Sequence, residues 1–129
     1  MESCRNFGRV TGYSGFLGGI CGIVSYYGTL RGNCVNEGEV GFRYDSAGNR
    51  DLSSTSYAGD LTTCGGIAGE LFQGKLPAAG ALGYTVVCEN CVNKGDVGAV
   101  RYAGGIAGAF NEGGSTAEDI TSCSSCGTV

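Results

Sequence analysis

The chain has 129 residues, of which 26 are Gly and one is Pro. Gly recurs along the whole chain with at most 12 residues between successive glycines, and it costs about 1 kcal/mol per helical position relative to Ala, which excludes a helix bundle; the lack of a Gly-X-Y period excludes a collagen helix. A formal charge of −4 with scattered Lys and Arg lacks the basic footprint of a nucleic-acid binder, while 42% hydrophobic and 16% charged residues suit a single folded domain over 1–129.

The first element in chain order is an eight-residue pattern at 3–10, Ser-Cys-Arg-Asn-Phe-Gly-Arg-Val. An uncharged stretch follows from Val10 to Leu30, behind Arg5 and Arg9, and resembles a secretory signal on the surface. It holds six glycines, and its centre, Gly18-Gly-Ile-Cys-Gly22, recurs later in the chain, so it reads as structure and no membrane-spanning segment is expected. Thr29-Leu30 is a short β-rich run leading into a second copy of the first pattern, Asn33-Cys-Val-Asn-Glu-Gly-Glu-Val40.

The stretch 42–60 is rich in Ser, Asp and Asn and reads as a loop. Gly65-Gly-Ile-Ala-Gly69 repeats the Gly-rich pattern, a second loop is expected over 73–83 around Pro77, and Thr85-Val86-Val87 leads into Asn90-Cys-Val-Asn-Lys-Gly-Asp-Val97. Gly104-Gly-Ile-Ala-Gly108 and Ser122-Cys-Ser-Ser-Cys-Gly-Thr-Val129 complete the series. Two patterns thus alternate: [Asn/Ser]-Cys-x-[Asn/Ser]-x-Gly-x-Val at 3–10, 33–40, 90–97 and 122–129, and Gly-Gly-Ile-x-Gly at 18–22, 65–69 and 104–108.

Cys4, Cys34, Cys91 and Cys123 are 30, 57 and 32 residues apart, so the unit is about 30 residues and the long interval carries the two loops as insertions. A degenerate extra unit hidden in that interval is the alternative. Short strands separated by Asn-x-Gly turns cannot bury an apolar face alone, but in-register stacking at about 4.8 Å buries it against identical neighbours. The expected fold is an all-β, parallel β-solenoid of about four turns with two inserted loops. Its internal columns are Cys4, Cys34, Cys91 and Cys123; Ile20, Ile67 and Ile106; and Val10, Val40, Val97 and Val129.

Gly19-Ile-Cys-Gly22, Gly66-Ile-Ala-Gly69 and Gly105-Ile-Ala-Gly108, each followed downstream by the Cys-x-Asn-x-Gly-x-Val pattern, resemble the GLUG repeat motif, with Ile where that motif often has Leu. The resemblance covers about 45 positions and departs in the last copy, where Ser125 and Cys126 stand in place of Asn and the variable residue. It implies a β-rich repeat region of a bacterial cell-surface or secreted protein, hence an extracellular or cell-surface location, and brings no catalytic residues.

Chemistry has few footholds. The chain lacks His, which removes the usual general base and excludes Ser-His and Cys-His nucleophiles. The Gly-rich segments, including 79–83, lack the Lys-Ser/Thr of a phosphate-binding loop. Glu37, Glu39, Asp96 and Glu112 stand singly at expected turns and read as solvated faces. No enzyme activity and no cofactor are expected. Eight cysteines leave three uses open: disulfides, buried thiols, or a zinc site from the paired CxxC segments Cys88, Cys91, Cys123 and Cys126.

Neither end carries a polar cap in the repeat frame, so the expected function is structural: a self-assembling subunit stacking head-to-tail into an extracellular fibre or surface stalk. The alternative is a glycan- or protein-binding adhesin module excised from a longer surface protein, using 42–60 and 73–83. The expected partners are accordingly a second copy of the chain, a glycan or a cell-surface protein.

Overall fold

The computed structural model describes residues 1–12, 14–25, 29–30, 32–51, 61–72, 87–99, 101–111, 119–121 and 123–129. These residues form thirteen short strands, and no helix occurs among them. The first repeat contributes β1 (Arg5–Asn6), β2 (Ser14–Gly18), β3 (Cys21–Ser25) and β4 (Thr29–Leu30). The second contributes β5 (Val35–Asn36), β6 (Leu61–Gly65), β7 (Ala68–Phe72) and β8 (Val87–Glu89). The third contributes β9 (Val92–Asn93), β10 (Tyr102–Gly104), β11 (Ala107–Asn111) and β12 (Asp119–Thr121), and β13 (Ser124–Ser125) opens a fourth.

Each sheet takes one strand from each repeat: β1-β5-β9-β13, β2-β6-β10, β3-β7-β11 and β4-β8-β12. Every strand pair is parallel, and the register follows the repeat: Asn6 faces Asn36, which faces Asn93, and Gly18 faces Gly65, which faces Gly104. Val35 pairs directly with Val92, so no strand intervenes there across the 57-residue interval. Of the expected insertions, 42–51 folds back into a small turn, with Tyr44 bridged antiparallel to Arg50 and the Asp45 carboxylate accepting from Ala47 and Asn49 N–H. The expected loop at 73–83 and the rest of the first one, 52–60, lie outside the described residues.

The chain turns into the first sheet at the residue before each ladder cysteine. Ser3, Asn33 and Asn90 have φ of 51°, 67° and 53°, a region that short polar side chains tolerate and β-branched ones do not. Ser122, the fourth member, lies outside the described residues.

Two glycine positions show why the patterns allow nothing larger. A Cβ on Gly38 would lie 1.9 Å from the Gly8 carbonyl oxygen, and one on Gly95 would lie 1.9 Å from that of Gly38. A Cβ on Gly66 would lie 2.2 Å from both the Asn93 Cγ and the Gly105 oxygen. The second Gly of each Gly-Gly-Ile motif is therefore the surface on which the Asn of the next repeat's Cys-x-Asn motif rests; Gly19 meets Asn36 and Gly105 meets Ser125 in the same way.

The larger core cluster is built on Leu30, Cys34, Ile67, Leu71, Cys88 and Cys91, with Ile20 and Ile106 partly buried against it. A smaller cluster joins Val40, Cys64 and Val97, with Val10 and Leu17 partly buried beside them. Middle-repeat members of each expected column are fully enclosed, while end members are partly open. Val129 departs furthest from its expected place, at 63% exposure, with no strand paired beyond it among the described residues.

Candidate functional site

Asn6, Asn36, Asn93 and Ser125 occupy one register column and form a polar ladder through the first sheet. Asn6 Nδ2 donates to Asn36 Oδ1 at 2.8 Å, Asn36 Nδ2 to Asn93 Oδ1 at 2.8 Å, and Asn93 Nδ2 to Ser125 Oγ at 3.2 Å. The second hydrogen of each amide goes to a carbonyl two residues on, Asn36 to Gly38 at 2.8 Å and Asn93 to Gly95 at 2.8 Å, and Asn36 Oδ1 accepts from Gly38 N–H at 3.2 Å. Asn36 and Asn93 are fully buried, which is tolerable only because their polar atoms find these partners. Reading Asn-x-Gly as a local turn missed this column; the signal available in the sequence was the fixed place of Asn or Ser in all four copies.

The second cluster is built from thiols. Cys88 lies in β8 and Cys91 just before β9, three residues apart, and the left-handed Asn90 between them turns the chain so that both side chains face inward and are buried. Cys123 stacks below Cys91, in the position immediately before β13. The sulfurs of Cys88, Cys91 and Cys123 all lie within 4.8 Å of one another, with Cys88 and Cys123 at 3.8 Å. The fourth residue of the zinc alternative, Cys126, is not among them. Between Cys123 and Cys126 the chain is strand β13, and residues three apart on an extended strand face opposite sides, so Cys126 is exposed with its S–H directed at the Asn93 carbonyl at 3.7 Å. The same CxxC spacing thus gives convergent sulfurs around a corner and divergent ones along a strand.

Hydrogen bonds from neighbouring thiols pull the Cys91 thiol below its ordinary value, the largest from Cys88, with Cys34 and Cys123 adding to it. Its role as donor to Cys91, together with burial, pushes the Cys88 thiol up, and burial raises Cys34 and Cys123. All eight cysteines are thiols in this structure.

On the outer face, the expected isolated carboxylates are paired. Arg50, carried back by the 42–51 segment, reaches Glu39 Oε1 and Asp96 Oδ2 at 2.5 Å each, and its guanidinium lies 3.9 Å from the Phe42 ring centroid. The parallel bridge between Val40 and Val97 brings the preceding residues Glu39 and Asp96 to neighbouring levels of the stack, where their like charges repel, and Arg50 relieves that repulsion. Tyr44 donates to Glu39 and Arg9 covers the Tyr44 ring at 3.9 Å. The Tyr44 hydroxyl and Arg50 hold the Glu39 carboxyl below its usual range, and Arg50 does the same for Asp96. Lys94 pairs with Glu37 at 2.9 Å. Glu112 lies outside the described residues.

No helix among the described residues is long and apolar enough to cross a membrane. Comparison with protein-family models, curated proteins and solved structures finds none that matches this chain.

Proposed function

We propose that the chain is a structural β-solenoid module of the GLUG type, stacking head-to-tail with copies of itself into an extracellular fibre or surface stalk. One observation carries the reading: a single register column changes from open to closed to open along the stack. Phe16, Thr63 and Tyr102 share that column, and their exposures are 38%, 4% and 55%. What buries Thr63 is a paired repeat on each side. Phe16 and Tyr102 each lack one such neighbour among the described residues, and a further repeat of the same shape supplies it.

The two ends are unlike. In the first sheet, β1 and β13 are the outermost strands among the described residues, at opposite ends. Each amide of the asparagine ladder donates toward the next repeat, so the ladder has a direction along the stack. A contact between unlike surfaces that does not close into a ring propagates as a filament. The cell-surface part of the reading rests on the GLUG resemblance of the motifs quoted above.

The test is sedimentation and negative-stain electron microscopy of the purified chain across a concentration series, with fibre diffraction of any polymer. Thin fibres with a spacing of about 4.8 Å along their axis are expected, with strands crossing that axis. Phe16→Lys, which places a charge on the open end, should hold the chain monomeric. A chain that stays monodisperse and monomeric at every concentration overturns the assembly reading.

A further inference from the structure

The three-cysteine cluster departs from the repeat that surrounds it. Each repeat places a cysteine in the ladder of Cys4, Cys34, Cys91 and Cys123, but only the second adds one beside it: Cys88 occupies the register position held by Leu30 in the first repeat and Ile120 in the third. Packing alone is served by Leu at that position, since Leu30 is fully buried there. The exchange of Leu for Cys at one level brings three sulfurs together, two of them fully enclosed and the third, Cys123, half-buried at the edge where an ion can enter.

We propose that Cys88, Cys91 and Cys123 form a three-thiolate site for a soft d10 cation, cuprous copper, which ties the second, third and fourth repeats together. A cation in the plane of three sulfurs at about 2.3 Å from each, the length of a metal–thiolate bond, needs sulfurs about 4.0 Å apart. The 3.8 Å between Cys88 and Cys123 meets that, and the 4.8 Å bound on the others leaves less than 1 Å to close. The ligand set selects the metal. Thiolates favour Cu(I), zinc and iron–sulfur clusters over hard cations, and structural zinc takes four ligands. The chain has no His, no carboxylate joins the group among the described residues, Cys126 faces out, and Cys34, though beside Cys91, is not within 4.8 Å of all three sulfurs. Three-coordinate Cu(I) is the member of that set which needs no fourth donor. Each ligating thiol releases its proton to solvent on binding. The Cys34 thiol, hydrogen-bonded to Cys91, supports the site from the preceding repeat.

The experiment is an anaerobic titration of the reduced full chain with Cu(I), in competition with bathocuproine disulfonate. It is read by bound copper per chain, and the loaded protein is then examined by X-ray absorption. One tightly held equivalent with three sulfur neighbours is expected. Cys88→Leu, which restores the residue of the first repeat, should fold with an unchanged far-ultraviolet circular-dichroism spectrum and bind more than about 100-fold more weakly, since ligand loss exceeds the effect of losing an outer-shell partner. Cys126→Ser should bind as the parent does. The proposal is overturned if no copper is held against the competitor, if Cys88→Leu keeps the parent affinity, or if zinc in a parallel titration is held as a four-sulfur site. Should Cys88→Leu not fold, the sulfur count around copper in the parent chain decides.

Discussion

Replacing Asn36 by Ala tests the central element of this fold. The side chain makes four hydrogen bonds: from Asn6 Nδ2 at 2.8 Å, to Asn93 Oδ1 at 2.8 Å, to the Gly38 carbonyl at 2.8 Å and from Gly38 N–H at 3.2 Å. At about 1 kcal/mol net for each bond, the loss is about 4 kcal/mol, and buried partners left without water add to it. That is a large part of the roughly 10 kcal/mol expected for a domain of this size. Asn6 makes three bonds of the same kind, but at the open end, where water replaces them, so Asn6→Ala should cost only about 1 kcal/mol. Asn36→Ser should fall between, at about 2 kcal/mol, because Ser125 fills the equivalent place with an oxygen that accepts from Asn93. Urea unfolding followed by circular dichroism, compared at equal slope, measures all three. An Asn36→Ala chain no less stable than Asn6→Ala refutes the claim that burial gives the ladder its weight.

Gly66→Ala forces a methyl to 2.2 Å from Asn93 Cγ and the Gly105 oxygen and should destabilise by about 3 kcal/mol, whereas Gly15→Ala, at φ +93° with nothing within 4 Å, should cost only the backbone strain of about 1–2 kcal/mol; denaturant melts of the pair separate crowding from conformation. Arg50→Met should cost about 1 kcal/mol at neutral pH. Because Glu39 and Asp96 ionise more readily folded than unfolded, their contribution is present at pH 7 and is lost as the pH falls below about 4, where the unfolded chain takes up protons first. Thermal melts at pH 7 and pH 3 should show that loss in the parent chain and a smaller one in Arg50→Met.

The repeat arithmetic was legible because in-register stacking demands the same residue type at the same place in every unit. Alternation of the two motifs therefore led to parallel sheets in which Asn6, Asn36 and Asn93 share a column, and Gly18, Gly65 and Gly104 another. Less was legible where one motif serves another. The second Gly of Gly-Gly-Ile and the Asn of Cys-x-Asn-x-Gly are 17 residues apart for Gly19 and Asn36 and 27 for Gly66 and Asn93, yet each is restricted by contact with the other across repeats.

Residue order by itself determined the period, the absence of helix-forming stretches and the all-β character. These follow from local sterics and from a pattern that recurs. Only the tertiary structure decided which sulfurs meet, that Asn36 and Asn93 are buried and bonded along the stack, and that Arg50 returns from an inserted segment to hold Glu39 and Asp96 together. The reason is directional. A spacing of three residues closes two side chains onto one side when a left-handed residue such as Asn90 lies between them and sends them to opposite sides along β13, and that difference is set by the backbone path rather than by the letters Cys-x-x-Cys.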